Sequence, residues 1–141
     1  MRTIKFRAWD GEQMVSPDYI GRDGRAYWKA NSILTSSERV MQFTGLLDKN
    51  GKEIYEGDIV RTGVYTDRTY SNQKKGIKHI GYVEYSIGEG DFADGIHKQF
   101  SGEWRVIKPD FYKSIYTCGN WGDFFECEVI GNIHENSNLL K

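Results

Sequence analysis

The segment FTGLLDKNGKEIYEGDIVR, Phe43 to Arg61, sets Asp48, Glu53, Glu56 and Asp58 among apolar residues, with Asn50 and three glycines at intervals. It is either a loop that binds metal or phosphate, or the turn chemistry of a small β-protein. An EF-hand counted from Asp48 puts Lys52 at position 5, Glu53 at position 6 and Ile59 at position 12, where oxygen, glycine and glutamate are needed. The calcium reading fails. Neither GxxxxGK[ST] nor GxGxxG occurs within it, so the phosphate reading fails as well. Turn chemistry fits throughout. Asn50-Gly51 predicts a hairpin, because both residues tolerate the positive φ of a tight type I′ turn. Glu56-Gly57-Asp58 predicts a second turn, with Gly57 left-handed and the Asp58 carboxylate accepting backbone N–H groups.

Outward from this segment, apolar residues recur in short alternating runs, and Phe, Trp and Tyr make up 14% of the chain. This is the pattern of a mainly β-protein. In TIKFRAW, Ile4, Phe6 and Ala8 alternate with Lys5, Arg7 and Trp9; the DGEQ turn follows, and Met14-Val15 begins a returning strand. Residues 16–38 are the least regular, with DYI and AYW as short strands. SILTSSERVMQFTGL reads as a helix opening at Ser36 or a strand over Arg39 to Thr44, and alternation favours the strand. IVRTGVY, HIGYVEYSI, EWRVIK and FFECEVIGNIH read as further strands, and GEGDFADG as a loop. In the last strand Cys127, Val129 and Ile133 share a face, which places Cys127 in the core. ENSNLL closes with one helical turn, capped by Asn136 or Ser137 and docked through Leu139 and Leu140. Short strands joined by glycine turns predict a small barrel or sandwich.

The 141 residues suit one compact domain, or a small domain with an appended β-segment. Nineteen Lys plus Arg against twenty Asp plus Glu give a net charge of −1, which argues against bulk electrostatic coating of nucleic acid. Two cysteines, Cys118 and Cys127, and a charged N-terminal start predict a reduced, intracellular protein. No apolar run approaches the roughly 18 residues of a membrane span. His79, His97 and His134 are scattered and the cysteines lie far apart, so no metal site is predicted. Asp91, Asp94 and His97 fall at helical spacing, but glycines and strand-like neighbours make that stretch a loop. There is no G-x-S-x-G elbow, which leaves catalysis without positive support.

Charge is uneven, however. Residues 65–80 hold Arg68, Lys74, Lys75 and Lys78 against Asp67, and Tyr70, Tyr82 and Tyr85 lie among or just after them. Small barrels bind single strands with such a mix of cations and stacking aromatics, although the same residues serve equally as a solvated loop and ordinary strand positions. Lys74, Lys75, Lys78 and Tyr82 are one candidate face for a macromolecule. Lys5, Arg7 and Trp9 are a second.

Four blocks in order, IKFRAWD near the start, MQFTGLLDKNGKEIYEGDIV, GYVEY and a terminal EVIGNIHENSNLL, resemble the YopX family of phage and prophage proteins of Gram-positive bacteria. The resemblance implies an SH3-like β-barrel or roll in the C-terminal two-thirds. With the seam that the residues place near Gly45 to Asp48, it predicts an N-terminal β-hairpin segment over residues 1–46 packed on a barrel domain over 47–141, from whose simpler family pattern this chain departs by a loop insertion near 65–80. It also implies expression in a bacterial cytoplasm, and it carries no catalytic residue or cofactor. The resulting expectation is a non-enzymatic accessory protein that binds a host or phage protein, with strand edges suited to forming a homo-oligomer. A nucleic-acid-binding barrel and an enzyme of unrecognised type are the alternatives.

Overall fold

A computed structural model of the chain describes residues 3–61, 80–91, 98–107 and 127–141. The described part is mainly β. Its strands are β1 (Phe6–Trp9), β2 (Met14–Val15), β3 (Tyr19–Ile20), β4 (Ala26–Ala30), β5 (Ile33–Ser37), β6 (Val40–Leu47), β7 (Glu53–Tyr55), β8 (Asp58–Arg61), β9 (Ile80–Asp91), β10 (Lys98–Ile107) and β11 (Glu128–Asn132). They form three antiparallel sheets, ordered β2-β1-β6-β7, β10-β9-β8-β11 and β3-β4-β5.

Two apolar clusters hold these sheets. One gathers Ile54, Val60, Val83, Val106 and Cys127, with Leu46, Trp104 and Val129 packed against it. The other gathers Ala8, Ala26 and Trp28, with Val15, Ile20 and Val40 around it. Strand β6 serves both, lending Val40 to the second and Leu46 to the first. Cys127 is fully buried as expected, but Ile133 is 36% exposed. The pairing of β8 with β11 shifts register between Val129 and Gly131, and such a bulge breaks the strict alternation that put Ile133 on the Cys127 face.

The Asn50-Gly51 hairpin forms, with a different turn from the one predicted. Gly51 alone is left-handed, at φ 80°; the Gly51 N–H donates to the Asp48 carbonyl, and the Asp48 N–H to that of Lys52. This is a three-residue loop that needs positive φ only at its last residue. Asp48 itself is buried. Its Oδ1 accepts the N–H groups of Asn50 and Lys52 at 2.8 and 2.9 Å, and its Oδ2 accepts that of Val129 on β11 at 3.0 Å. The Lys49 N–H donates to the Cys127 carbonyl, so the hairpin is fastened to the C-terminal strand twice more than its own ladder requires.

Strands β9 and β10 run further than expected, pairing Gly88 with Ser101 and Asp91 with Lys98, so Gly88 to Asp91 are strand and not loop. Each ladder rung fixes the next, and the glycines offer no side chain to oppose it. The closing turn is a 3₁₀ helix over Ser137–Leu140. Asn136 does not cap it by its side chain; that amide instead accepts the Asn132 N–H at 3.2 Å.

Candidate binding surface

The basic residues Lys74, Lys75 and Lys78 lie outside the described residues. Tyr82 is half-buried on β9, paired with Ile59 on one side and Ile107 on the other. The second predicted face, Lys5, Arg7 and Trp9, is not an open cationic surface. Lys5 pairs with Glu53 and stands 5.4 Å from the centre of the Phe43 ring. Trp9 is buried and stacks on His134, with centroids 5.8 Å apart and planes at 8°. Arg7 turns inward, pairs with the fully buried Asp58, and lies over the Tyr55 ring at 4.4 Å. Long amphipathic side chains cover apolar surface while keeping a polar tip satisfied, so the Arg7 and Trp9 face of β1 is covered, while Lys5, just before the strand, stays half-exposed.

The electrostatics of this inner network follow from burial. Asp58 Oδ2 also accepts the Tyr55 N–H at 2.8 Å. Burial pushes the Asp58 carboxyl above the usual carboxylate range, against the pull of Arg7 and the Tyr55 N–H. Tyr55 is pushed up to about 12, by burial and by donating its hydroxyl to Glu53. Arg7 Nε is buried with no hydrogen-bond partner among the described residues, a cost set against the ion pair. This arrangement is a structural tie between the sheet of β1 and the start of β8.

His134 adds a pH dependence. Burial, then the charges of Arg39 and Arg7, lower its pKa from the ordinary 6.5. A depressed folded-state value means stability that is present above 6.5 and lost as pH falls through the lower value, because the unfolded chain takes the proton first. The urea midpoint of the wild type is therefore expected to drop between pH 7 and 5 by more than that of His134→Phe, which keeps an aromatic ring beside Trp9. Parallel pH profiles for the two proteins would contradict this.

Among the described residues Ile4 and Leu47 are exposed singly, while the sheet of β3, β4 and β5 gathers three of the exposed large apolar side chains, Tyr19, Ile33 and Leu34. Register places Tyr19, Tyr27, Lys29, Leu34 and Ser36 on its outer face, and Ile20, Ala26, Trp28, Ile33, Thr35 and Ser37 on the inner one. The inner face packs well at its base, where Ala26 and Trp28 are buried and the Ser37 hydroxyl donates to the Trp9 carbonyl at 2.7 Å. Its far end outruns the core and leaves Ile33 68% exposed. On the outer face Leu34 is 56% exposed and Tyr19, nearer the base, 53%, and Tyr19 stacks on Tyr27 with centroids 5.1 Å apart. The tip is a tight turn with both central residues left-handed, Asn31 at φ 51° and Ser32 at φ 67°. Toward the base of the sheet the charges balance locally, with Arg25 ion-paired to Glu38 and the Tyr27 hydroxyl donating to Asp23. That bond, followed by the Arg25 N–H, holds the Asp23 carboxyl below its usual range.

Sequence reasoning missed this surface. SIL offers two adjacent apolar residues without alternation, and Asn31-Ser32 lacks the glycine that marks a two-residue turn. Among the described residues no cluster of His, Cys, Asp and Glu could hold a metal ion. No described helix is long and apolar enough to cross a membrane.

The family model for YopX protein matches residues 5–141. Among solved structures the chain is similar to the crystal structure of protein EF1440 from Enterococcus faecalis, at 24% identity, with full coverage of both chains and a TM-score of 0.50. At that identity the likeness speaks for the fold alone. No curated protein matches the chain.

Proposed function

The chain belongs to the YopX family, and from that premise we propose that it is a non-enzymatic phage accessory protein, acting in the bacterial cytoplasm, that docks a host or phage protein on its β3–β5 sheet. The observation that carries this reading is the exposure of Tyr19, Ile33 and Leu34 on a single three-stranded sheet. Exposed apolar and aromatic groups rimmed by polar ones mark protein contacts, whereas the balanced charges nearby give no field to draw phosphate. Aromatic anchors on rigid strands also lose little conformational entropy when they bind.

The test is capture from infected host cells by tagged protein, with and without nuclease, comparing the wild type with the I33S/L34S variant. A protein partner retained through nuclease treatment and lost with the variant is the expected result. Failure to capture any partner, or capture indifferent to the substitutions, overturns the reading; capture that nuclease abolishes replaces it with nucleic-acid binding.

A further inference from the structure

We propose that β5 is a dimerisation edge, through which a second copy of this chain pairs antiparallel about a two-fold axis at Thr35. The proposal rests on the reading that the β3–β5 sheet is the docking element, and it follows from a different observation. The two-residue turn makes Ala30 and Ile33 a hydrogen-bonded pair, so Trp28 with Thr35 and Ala26 with Ser37 are hydrogen-bonded as well. The backbone N–H and C=O of Leu34 and Ser36 therefore point away from β4. Among the described residues no strand pairs with that side of β5.

Natural sheets guard such an edge with lysine, proline or a bulge. Ile33 to Ser37 has none of these, and carries no charge to repel its own copy. The edge is also self-complementary. With the axis at Thr35, Leu34 of one copy faces Ser36 of the other, and both such pairs exchange N–H and C=O, giving four hydrogen bonds. Antiparallel pairing directs the exposed Glu38 of each copy, which its own Arg25 neutralises only through a 3.6 Å contact at the surface, toward the turn end of the other, the end that carries Lys29, so opposite charges approach. Two three-stranded sheets become one of six strands, whose outer face presents Tyr19, Tyr27 and Leu34 twice. A contact this small lies at the low end of interface sizes, so association should be reversible and concentration-dependent.

Purified protein alone, studied by sedimentation equilibrium, tests this without any partner protein, so its outcome and that of the capture experiment are independent. The expected average mass moves from one chain toward two as concentration rises. Leu34→Pro removes an outward N–H without touching a β4 bond, and should lose the dimer while keeping the β circular dichroism of the wild type. Thr35→Cys supplies a register test that does not depend on that variant folding. In a non-hydrogen-bonded pair the Cα atoms lie roughly 4.5 Å apart, within disulfide reach. Under oxidised glutathione T35C should give a covalent dimer, while L34C, which would face Ser36, and the wild type with Cys118 and Cys127 alone should not. A wild type that stays monomeric at its solubility limit, a folded L34P that still dimerises, or equal cross-linking of T35C and L34C overturns the proposal.

Discussion

Replacing Asp48 with alanine should lower the free energy of unfolding by roughly 3 kcal/mol, from three hydrogen bonds to a charged acceptor, discounted because water can reach the turn N–H groups. The carboxylate is 6% exposed and accepts from Asn50, Lys52 and Val129. Without it the Val129 N–H, 81 residues away in sequence, loses its acceptor, and the hairpin loses its hold on β11. Asp48→Asn keeps an oxygen for some of these donors and should cost about half as much. The pH dependence has a definite sign. Burial works to raise the Asp48 carboxyl, but the N–H groups of Val129, Lys52 and Asn50 hold it below the ordinary 3.8. Its contribution is therefore present above 3.8 and is lost as pH falls through the lower folded-state value. Asp58 works in the opposite direction in the same range, so the comparison with D48N isolates Asp48. Urea unfolding at pH 7 and at stepped pH below 5 checks both statements; a loss under 1 kcal/mol for D48A, or acid limbs of equal slope for wild type and D48N, would refute the account.

How much of this was legible depends on the distance each interaction spans. Asn50-Gly51 and Glu56-Gly57-Asp58 announce turns because local backbone conformation and local carboxylate bonds decide them, and the Tyr55 N–H to Asp58 bond spans three residues. The turn type was misread for a reason of the same kind: Asp48 closes a longer loop by accepting two N–H groups, which frees Asn50 from positive φ. Nothing local announces the third bond of Asp48 or the 51-residue reach from Arg7 to Asp58. Both depend on how the sheets meet.

The faces of β1 show the same limit from another side. Alternation grouped Lys5, Arg7 and Trp9 correctly, but periodicity does not say whether a face meets water. Here Met41, Tyr55, Asp58 and His134 cover it, all from strands or turns more than thirty residues away. The exposed edge was hidden for the converse reason. Ile33 and Leu34 look like core residues in sequence, but the hairpin carries Ile33 past Trp28 and register turns Leu34 to the outer face, so both are left in solvent.

The second large effect is expected at Arg7, where Arg7→Met should destabilise the fold by roughly 3–5 kcal/mol at pH 7, since it leaves a buried carboxylate without its partner. Asp58 is 1% exposed, and among the described residues its remaining bond is to the Tyr55 N–H. If charge burial is the cause, removing the charge should restore stability. The R7M/D58N double variant keeps an acceptor for Tyr55 and buries no ion, so it should be more stable than R7M by about 2 kcal/mol, the scale of coupling between contacting residues. Acidification distinguishes this from simple loss of packing on the Tyr55 ring. A carboxyl whose folded-state pKa is raised contributes stability that is present below its ordinary value and lost as pH rises through the folded-state value. Asp58 is already raised in the wild type, and without the pull of Arg7 it rises further. The penalty of R7M should therefore shrink steadily as pH falls and Asp58 takes up its proton, while the double variant shows no such recovery. A penalty independent of pH, or a double variant less stable than R7M, would mean that Arg7 acts through its contacts with Met41 and Tyr55 alone.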